Sequence, residues 1–210
     1  MVLNKFLKMK NAKGFTFIEL VVVLGIFAIL SSVVLFNFKD FSSGVDLQNL
    51  SQQIAMQVSN MQRKTLAGSQ YEFAFTGLGG GRWIPSYGVC FKSADATSNE
   101  CGLSSQQYVP GTTFVVFADN NNDKIYDNAP LLETIDIIEI KGGEYISEIC
   151  SNEGDDCGGA EARVVYTRPN VSPEIYYGQT SVRDISVQIS SENGATRKVN
   201  IWKSGQIEAN

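Results

Sequence analysis

Residues 15–36 form one apolar run, Phe15-Thr16-Phe17-Ile18-Glu19-Leu20-Val21-Val22-Val23-Leu24-Gly25-Ile26-Phe27-Ala28-Ile29-Leu30-Ser31-Ser32-Val33-Val34-Leu35-Phe36, broken by a single charge at Glu19. A membrane-crossing helix needs about 20 mostly apolar residues, so the run is long enough to span a bilayer. Lys5, Lys8, Lys10 and Lys13 precede it, and the next lysine is Lys39. That asymmetry predicts a cytoplasmic amino end and an outside carboxyl end. A cleaved secretory signal and a plain uncleaved anchor are the simplest readings. A secretory signal is cut after its apolar core, where Ala28-Ile29-Leu30-Ser31 is a poor small-residue site and the apolar pattern runs on. Neither reading explains Glu19, because a carboxylate inside an apolar span is costly and calls for a named partner.

Lys13-Gly14-Phe15-Thr16-Phe17-Ile18-Glu19-Leu20 resembles the type IV prepilin signature shared by pilins and type II secretion pseudopilins. The resemblance implies that a membrane peptidase cuts between Gly14 and Phe15 and methylates the new terminus at Phe15, making Glu19 an assembly residue. Physical chemistry runs parallel to it. A cut before the apolar run removes the basic leader, keeps the anchor, and creates an ammonium at Phe15 one helical turn from Glu19. Two opposite charges in lipid satisfy one another, within one subunit or between neighbours.

Composition narrows the remaining classes. The chain of 210 residues has room for one domain with an appendage and a substantial core. It contains no histidine, which removes Ser-His-Asp and Cys-His catalysis and His-ligated zinc. No motif supports the carboxylate-only or Ser-Lys alternatives, so no enzyme is expected. The net charge is −5; taking the leader's +4 from it leaves −9 on residues 15–210. A basic tip on an acidic body does not indicate a nucleic-acid partner.

From residue 39 the helical pattern changes character without a proline to stop it. Val45, Leu47, Leu50, Ile54, Val58 and Met61 recur mostly at three- and four-residue steps among Gln, Asn and Ser. Gly68 is the expected stop. A helix over 15–67 would measure about 80 Å. Beyond it the period falls to two. Tyr71, Phe73 and Phe75 alternate; residues 113–118 and 162–166 read as buried strands. Residues 184–190 lead through Asn193-Gly194, a two-residue hairpin signal, into a returning strand over 197–202. The expected fold class is α+β: a long amino-terminal helix packed on an antiparallel β-rich head. Its divisions are a leader over 1–14, a membrane or filament-core helix over 15–38, an amphipathic continuation over 39–67, and a head over 68–210.

Four cysteines fall in two close pairs, Cys90 with Cys101 and Cys150 with Cys157. An even count in an exported chain points to disulfides; of three possible pairings the local one is simplest. Asp119, Asn121, Asp123 and Asp127 stand at positions 1, 3, 5 and 9 of a calcium loop. Lys124 replaces the glycine due at position 6 and Pro130 the glutamate due at 12. Calcium is therefore one reading of this turn, and an Asx-rich turn bonding its own backbone is the favoured one.

Residues 117–127, followed by Leu131-Leu132, are similar to the strand and turn of FimT/GspH-type minor pseudopilins, and the closing hairpin and Gly205 fit that subfamily. Many major pilins have a proline where this chain has Phe36, and the DNA-binding tails of some FimT-type proteins carry an arginine that residues 204–208 lack. The resemblance implies other pilin or pseudopilin subunits, the prepilin peptidase and the lipid bilayer as partners. It implies residence in the inner (cytoplasmic) membrane, with the head in the periplasm or at the cell surface. The alternatives are a major pilin of the fibre shaft and a membrane-tethered, exported binding domain with no filament role.

Overall fold

The computed structural model describes residues 14–73, 81–96, 101, 111–127, 133–151, 156–159, 161–170 and 172–210, with the backbone alone for 34–40, 71–73, 81–83 and 159. The described residues form one helix and antiparallel sheets, the α+β class expected. The helix, α1, runs Phe17–Ala67. Its end is set by Gly68, whose φ of 63° is the left-handed conformation that glycine adopts without a Cβ penalty. Gly68 N–H donates to the Thr65 carbonyl and Ser69 N–H to the Lys64 carbonyl, both at 3.1 Å. These two bonds form a Schellman stop and satisfy carbonyls that the helix leaves open. The chain divides into two compact units, one ending at Phe41 and the other Ser42–Asn210.

Within Ser42–Asn210, short strands β1 (Tyr71–Phe73) and β2 (Gly81–Trp83) pair with each other. The larger elements are β3 (Ser86–Lys92), β4 (Thr113–Asp119), β5 (Thr134–Glu139), β6 (Tyr145–Ser151) and β7 (Asp156–Gly159). They continue with β8 (Glu161–Tyr166), β9 (Glu174–Tyr177), β10 (Thr180–Val182), β11 (Asp184–Ser190), β12 (Thr196–Trp202) and β13 (Ile207–Ala209). Six strands form one sheet in the order β10-β9-β8-β3-β4-β5, and five form another in the order β13-β12-β11-β6-β7. Tyr71 and Phe73 fall on β1, and Phe75 lies outside the described residues.

A single cluster joins the helix to both sheets. Leu47, Leu50, Ile54, Val58 and Met61 of α1 pack with Tyr87, Val89 and Phe91 of β3, Phe114 and Val116 of β4, and Ile185, Val187 and Ile189 of β11. Val45 does not join this stripe: its side chain is 42% exposed, one step before the buried face begins at Leu47. The inner strands of the six-stranded sheet are buried on both faces. Val89 and Phe91 enter the main core while Cys90, Val115, Phe117, Tyr126 and Val165 make a second cluster opposite. This is why Thr113 to Ala118 reads as an unbroken apolar run rather than an alternation. Gly88 lies under Phe117 of the neighbouring strand, and a Cβ there would come within 2.6 Å of the ring.

The cysteines are joined in the local pairs, Cys90 to Cys101 within the second cluster and Cys150 to Cys157 across β6 and β7. Closing loops this short removes about 3 kcal/mol of chain entropy from the unfolded state. The closing hairpin differs from its two-residue expectation. Ser190 pairs with Thr196, Gly194 N–H donates to the Ser191 carbonyl at 3.0 Å, and Gly194 has φ 82°. A type I′ turn needs positive φ at both central residues, and Asn193 does not supply it. The left-handed residue is Gly194 alone, so the turn spans 191–195.

The buried stripe carries a stability prediction. Ile54→Ala, at a fully buried position, lowers the unfolding free energy by about 2–5 kcal/mol. Met56→Ala, two residues on and 56% exposed, changes it by less than about 0.5 kcal/mol. Denaturant titration of the full chain in detergent checks this, and equal losses would contradict the packing register.

Candidate functional site

The helix begins at the residues the prepilin signature singles out. Thr16 precedes the first helical residue, Phe17, and Glu19 lies three residues after Thr16. The Thr16 N–H and hydroxyl donate to Glu19 Oε2 at 3.1 and 3.0 Å, and the Glu19 N–H donates to Thr16 Oγ1 at 3.3 Å. This reciprocal capping box satisfies amide donors that a helix start leaves open. A carboxylate at the amino end also complements the helix dipole. Reading Glu19 only as a counter-charge for the Phe15 ammonium leaves Thr16 out. The T-x-x-E spacing ahead of an apolar run is the signal that would have found it. Every atom of the box lies carboxyl-terminal to the Gly14–Phe15 bond, so a cut at that bond leaves the box whole.

The side chains beyond the cap are uncovered. Phe15, Phe17 and Ile18 are 85%, 81% and 67% exposed, and exposed apolar side chains continue through Val33. A contiguous apolar surface of this extent marks a membrane or protein contact. Among the described residues no helix is long and apolar enough to cross a membrane. The described side chains of the run end at Val33, whereas the sequence carries it through Val34-Leu35-Phe36. A bilayer responds to the whole contiguous run, which in the sequence covers residues 15–36.

The acidic turn is built of Asx-type bonds to its own backbone. Asp119 Oδ1 and Oδ2 accept from the N–H groups of Asp123 and Lys124, both at 3.2 Å. Asn121 Oδ1 accepts from Asp123 N–H at 3.1 Å, and Asp123 Oδ1 from Ile125 N–H at 2.7 Å. Asn121 Nδ2 donates to Asp123 Oδ2 at 2.8 Å and to Asp127 Oδ2 at 3.2 Å. Lys124, in the place of a calcium loop's glycine, has φ 67°. Its ammonium reaches Glu174 at 3.1 Å and Thr167 Oγ1, holding a conformation that lysine rarely takes. Pro130 lies outside the described residues. Among the described residues, Asp119, Asp123 and Asp127 do not bring one carboxylate oxygen each within 4.8 Å of one another. Glu148, Cys150 and Cys157 do converge, but both sulfurs are spent in a disulfide.

Glu133 closes the turn, and the sequence reading missed it. Its carboxylate is fully buried and accepts from Asn120 N–H at 2.7 Å and Asp127 N–H at 2.9 Å. Burial pushes its pKa up to about 7, against the two amide bonds and with the Asp119 and Asp127 charges. Burial likewise raises Asp119, opposed by the amides it accepts from.

The family model described as the prokaryotic N-terminal methylation motif matches residues 9–35. The match indicates a pilin- or pseudopilin-type amino terminus, with leader cleavage and methylation, and it ends before the head begins. No curated protein and no solved structure matches the chain.

Glu133 generates a pH prediction. Its folded pKa lies above the unfolded value of 4.5, so the folded state holds the proton more tightly. The resulting stability is complete below pH 4.5 and is lost as pH rises to about 7, a change of the order of 3 kcal/mol. Glu133→Gln removes this part of the slope. Unfolding free energies measured from pH 4.5 to 8 check it, and parallel profiles for parent and variant would contradict it.

Proposed function

We propose that this chain is a non-enzymatic structural subunit of a type IV pilus or type II secretion-like filament, inserted in the membrane and assembled through its amino-terminal helix. The observation that carries the reading is the capped helix start: a basic leader, Gly14-Phe15, the Thr16–Glu19 box and an uncovered apolar run lie in one segment. The methylation-motif match over 9–35 supports it. On this reading the peptidase cuts between Gly14 and Phe15 and Phe15 is methylated. Residues 15–38 occupy first the bilayer and then the filament core, with the head outside the cytoplasm. Other pilin or pseudopilin subunits are the partners.

Within this class we favour a minor, FimT/GspH-type subunit, on the acidic turn after β4, the closing hairpin and Phe36 in place of proline. In a simple tether Glu19 would serve only to cap the helix start. A filament subunit gains more, because Glu19 Oε1 makes no bond in the box and can accept a hydrogen bond from the ammonium of Phe15, its own or an incoming neighbour's.

Glu19→Ala, Glu19→Leu and Glu19→Gln should all insert in the membrane and all lose incorporation, since each removes the charge. The measurement is the ratio of filament-associated to membrane-pool protein in the native host, with mass spectrometry of the amino terminus. The expected parent terminus is methylated Phe15. Processing and assembly of all three variants at parental levels, or an intact Met1 in assembled parent, would contradict the proposal.

A further inference from the structure

A cleft of about 490 Å³ opens in the Ser42–Asn210 unit between α1 and the connection from β5 to β6, lined by Asp46, Asn49, Leu50 and Gln53 on one side and residues 139–142 and 144 on the other. Nothing in the pilin-type reading uses it. Its floor is apolar, formed by the nearly buried Leu50 and Ile140. Its walls carry the carboxylates of Asp46, Glu139 and Glu144 against one cation, Lys141.

Glu144 is the unusual member. It is 4% exposed, yet among the described residues its carboxylate makes no hydrogen bond or ion pair. Its oxygens are not among the buried polar atoms that lack a partner, so they stay open to solvent while the rest of the residue is covered. The chain makes room for them. Gly142 has φ 95°, and a Cβ there would come within 2.5 Å of Glu144 Oε2. The glycine therefore leaves space that the carboxylate fills beside the cleft.

We propose that this cleft binds an organic cation, an ammonium or guanidinium group carried on an apolar stem. The charged head meets Glu144, with Glu139 and Asp46 at the rim, and the stem lies on Leu50 and Ile140. A bare metal ion fits less well. Calcium requires several oxygens at about 2.3–2.6 Å, and among the described residues these three carboxylates do not converge. The volume is that of a small-molecule site instead. Side chains of lysine or arginine on another protein and free polyamines share this chemistry.

The test is a titration of the processed full chain in detergent, labelled at isoleucine and leucine methyls, with n-butylammonium at constant ionic strength. Saturable shifts of the Ile140 and Leu50 methyls are expected, with affinity lowered roughly tenfold in Glu144→Gln. Asp46→Asn and Glu139→Gln, both at exposed positions, should each weaken it less and do not disturb a buried group. No saturable response in the parent, unchanged affinity in all three variants, or an equal response to n-butanol or calcium overturns the proposal. Carbodiimide coupling in native envelopes separates the sources. A lysine-bearing peptide joined at Asp46, Glu139 or Glu144 marks a protein side chain, and a polyamine mass marks a free amine. Coupling to neither overturns the proposal.

Discussion

The packing of one helical stripe, Leu47, Leu50, Ile54, Val58 and Met61, against the inner faces of two sheets is the contact on which the head depends. The stripe shares one buried cluster with side chains of β3, β4, β8 and β11. Polar bonds then fix the helix end rather than drive the packing. Thr65 Oγ1 donates to the Met61 carbonyl at 2.9 Å and lies 3.3 Å from the Tyr166 carbonyl, while the Tyr87 hydroxyl donates to Ser69 O at 2.9 Å. The Schellman bonds at Gly68 release the chain from the helix where the stripe ends.

The same helix carries two unlike surfaces in sequence. Up to Val33 its described side chains are mostly apolar and exposed, while from Leu47 one face is buried and the others are mostly polar. On the function proposed above, that division would let the amino-terminal segment exchange lipid for protein while the head stays folded. Two disulfides secure the head: Cys90–Cys101 ties residue 101 to β3, and Cys150–Cys157 ties the short edge strand β7 to β6. The methylation-motif match is confined to residues 9–35, so the head's role rests on physical reasoning about its own residues.

Much of this was legible in the sequence, for reasons specific to each element. The helix stripe, the Gly68 stop, β4, β8, β11 and β12 announce themselves by period or by unbroken apolar runs. Elements with mixed patterns do not. β6 reads Tyr-Ile-Ser-Glu-Ile-Cys-Ser, and β9 and β10 have four and three residues, too few for a period. Asn193-Gly194 suggested a tighter turn than forms, because only the glycine takes positive φ. Glu133 was invisible because its role depends on amides six and thirteen residues away. Glu144 was invisible because a single glutamate after two glycines carries no pattern. Thr16, by contrast, was in plain view at capping-box spacing.

The central claim is that the amino-terminal run, once processed, becomes a contact between subunits. All four native cysteines are in disulfides, so a new cysteine reports cleanly. Leu24→Cys places one on the exposed run. Mild oxidation of native envelopes, followed by non-reducing electrophoresis, measures whether two such segments meet. The account predicts subunits linked through residue 24, abolished when Glu19 is also replaced by alanine. Assembled Leu24→Cys protein that stays entirely unlinked, or linkage unchanged by the loss of Glu19, would contradict it.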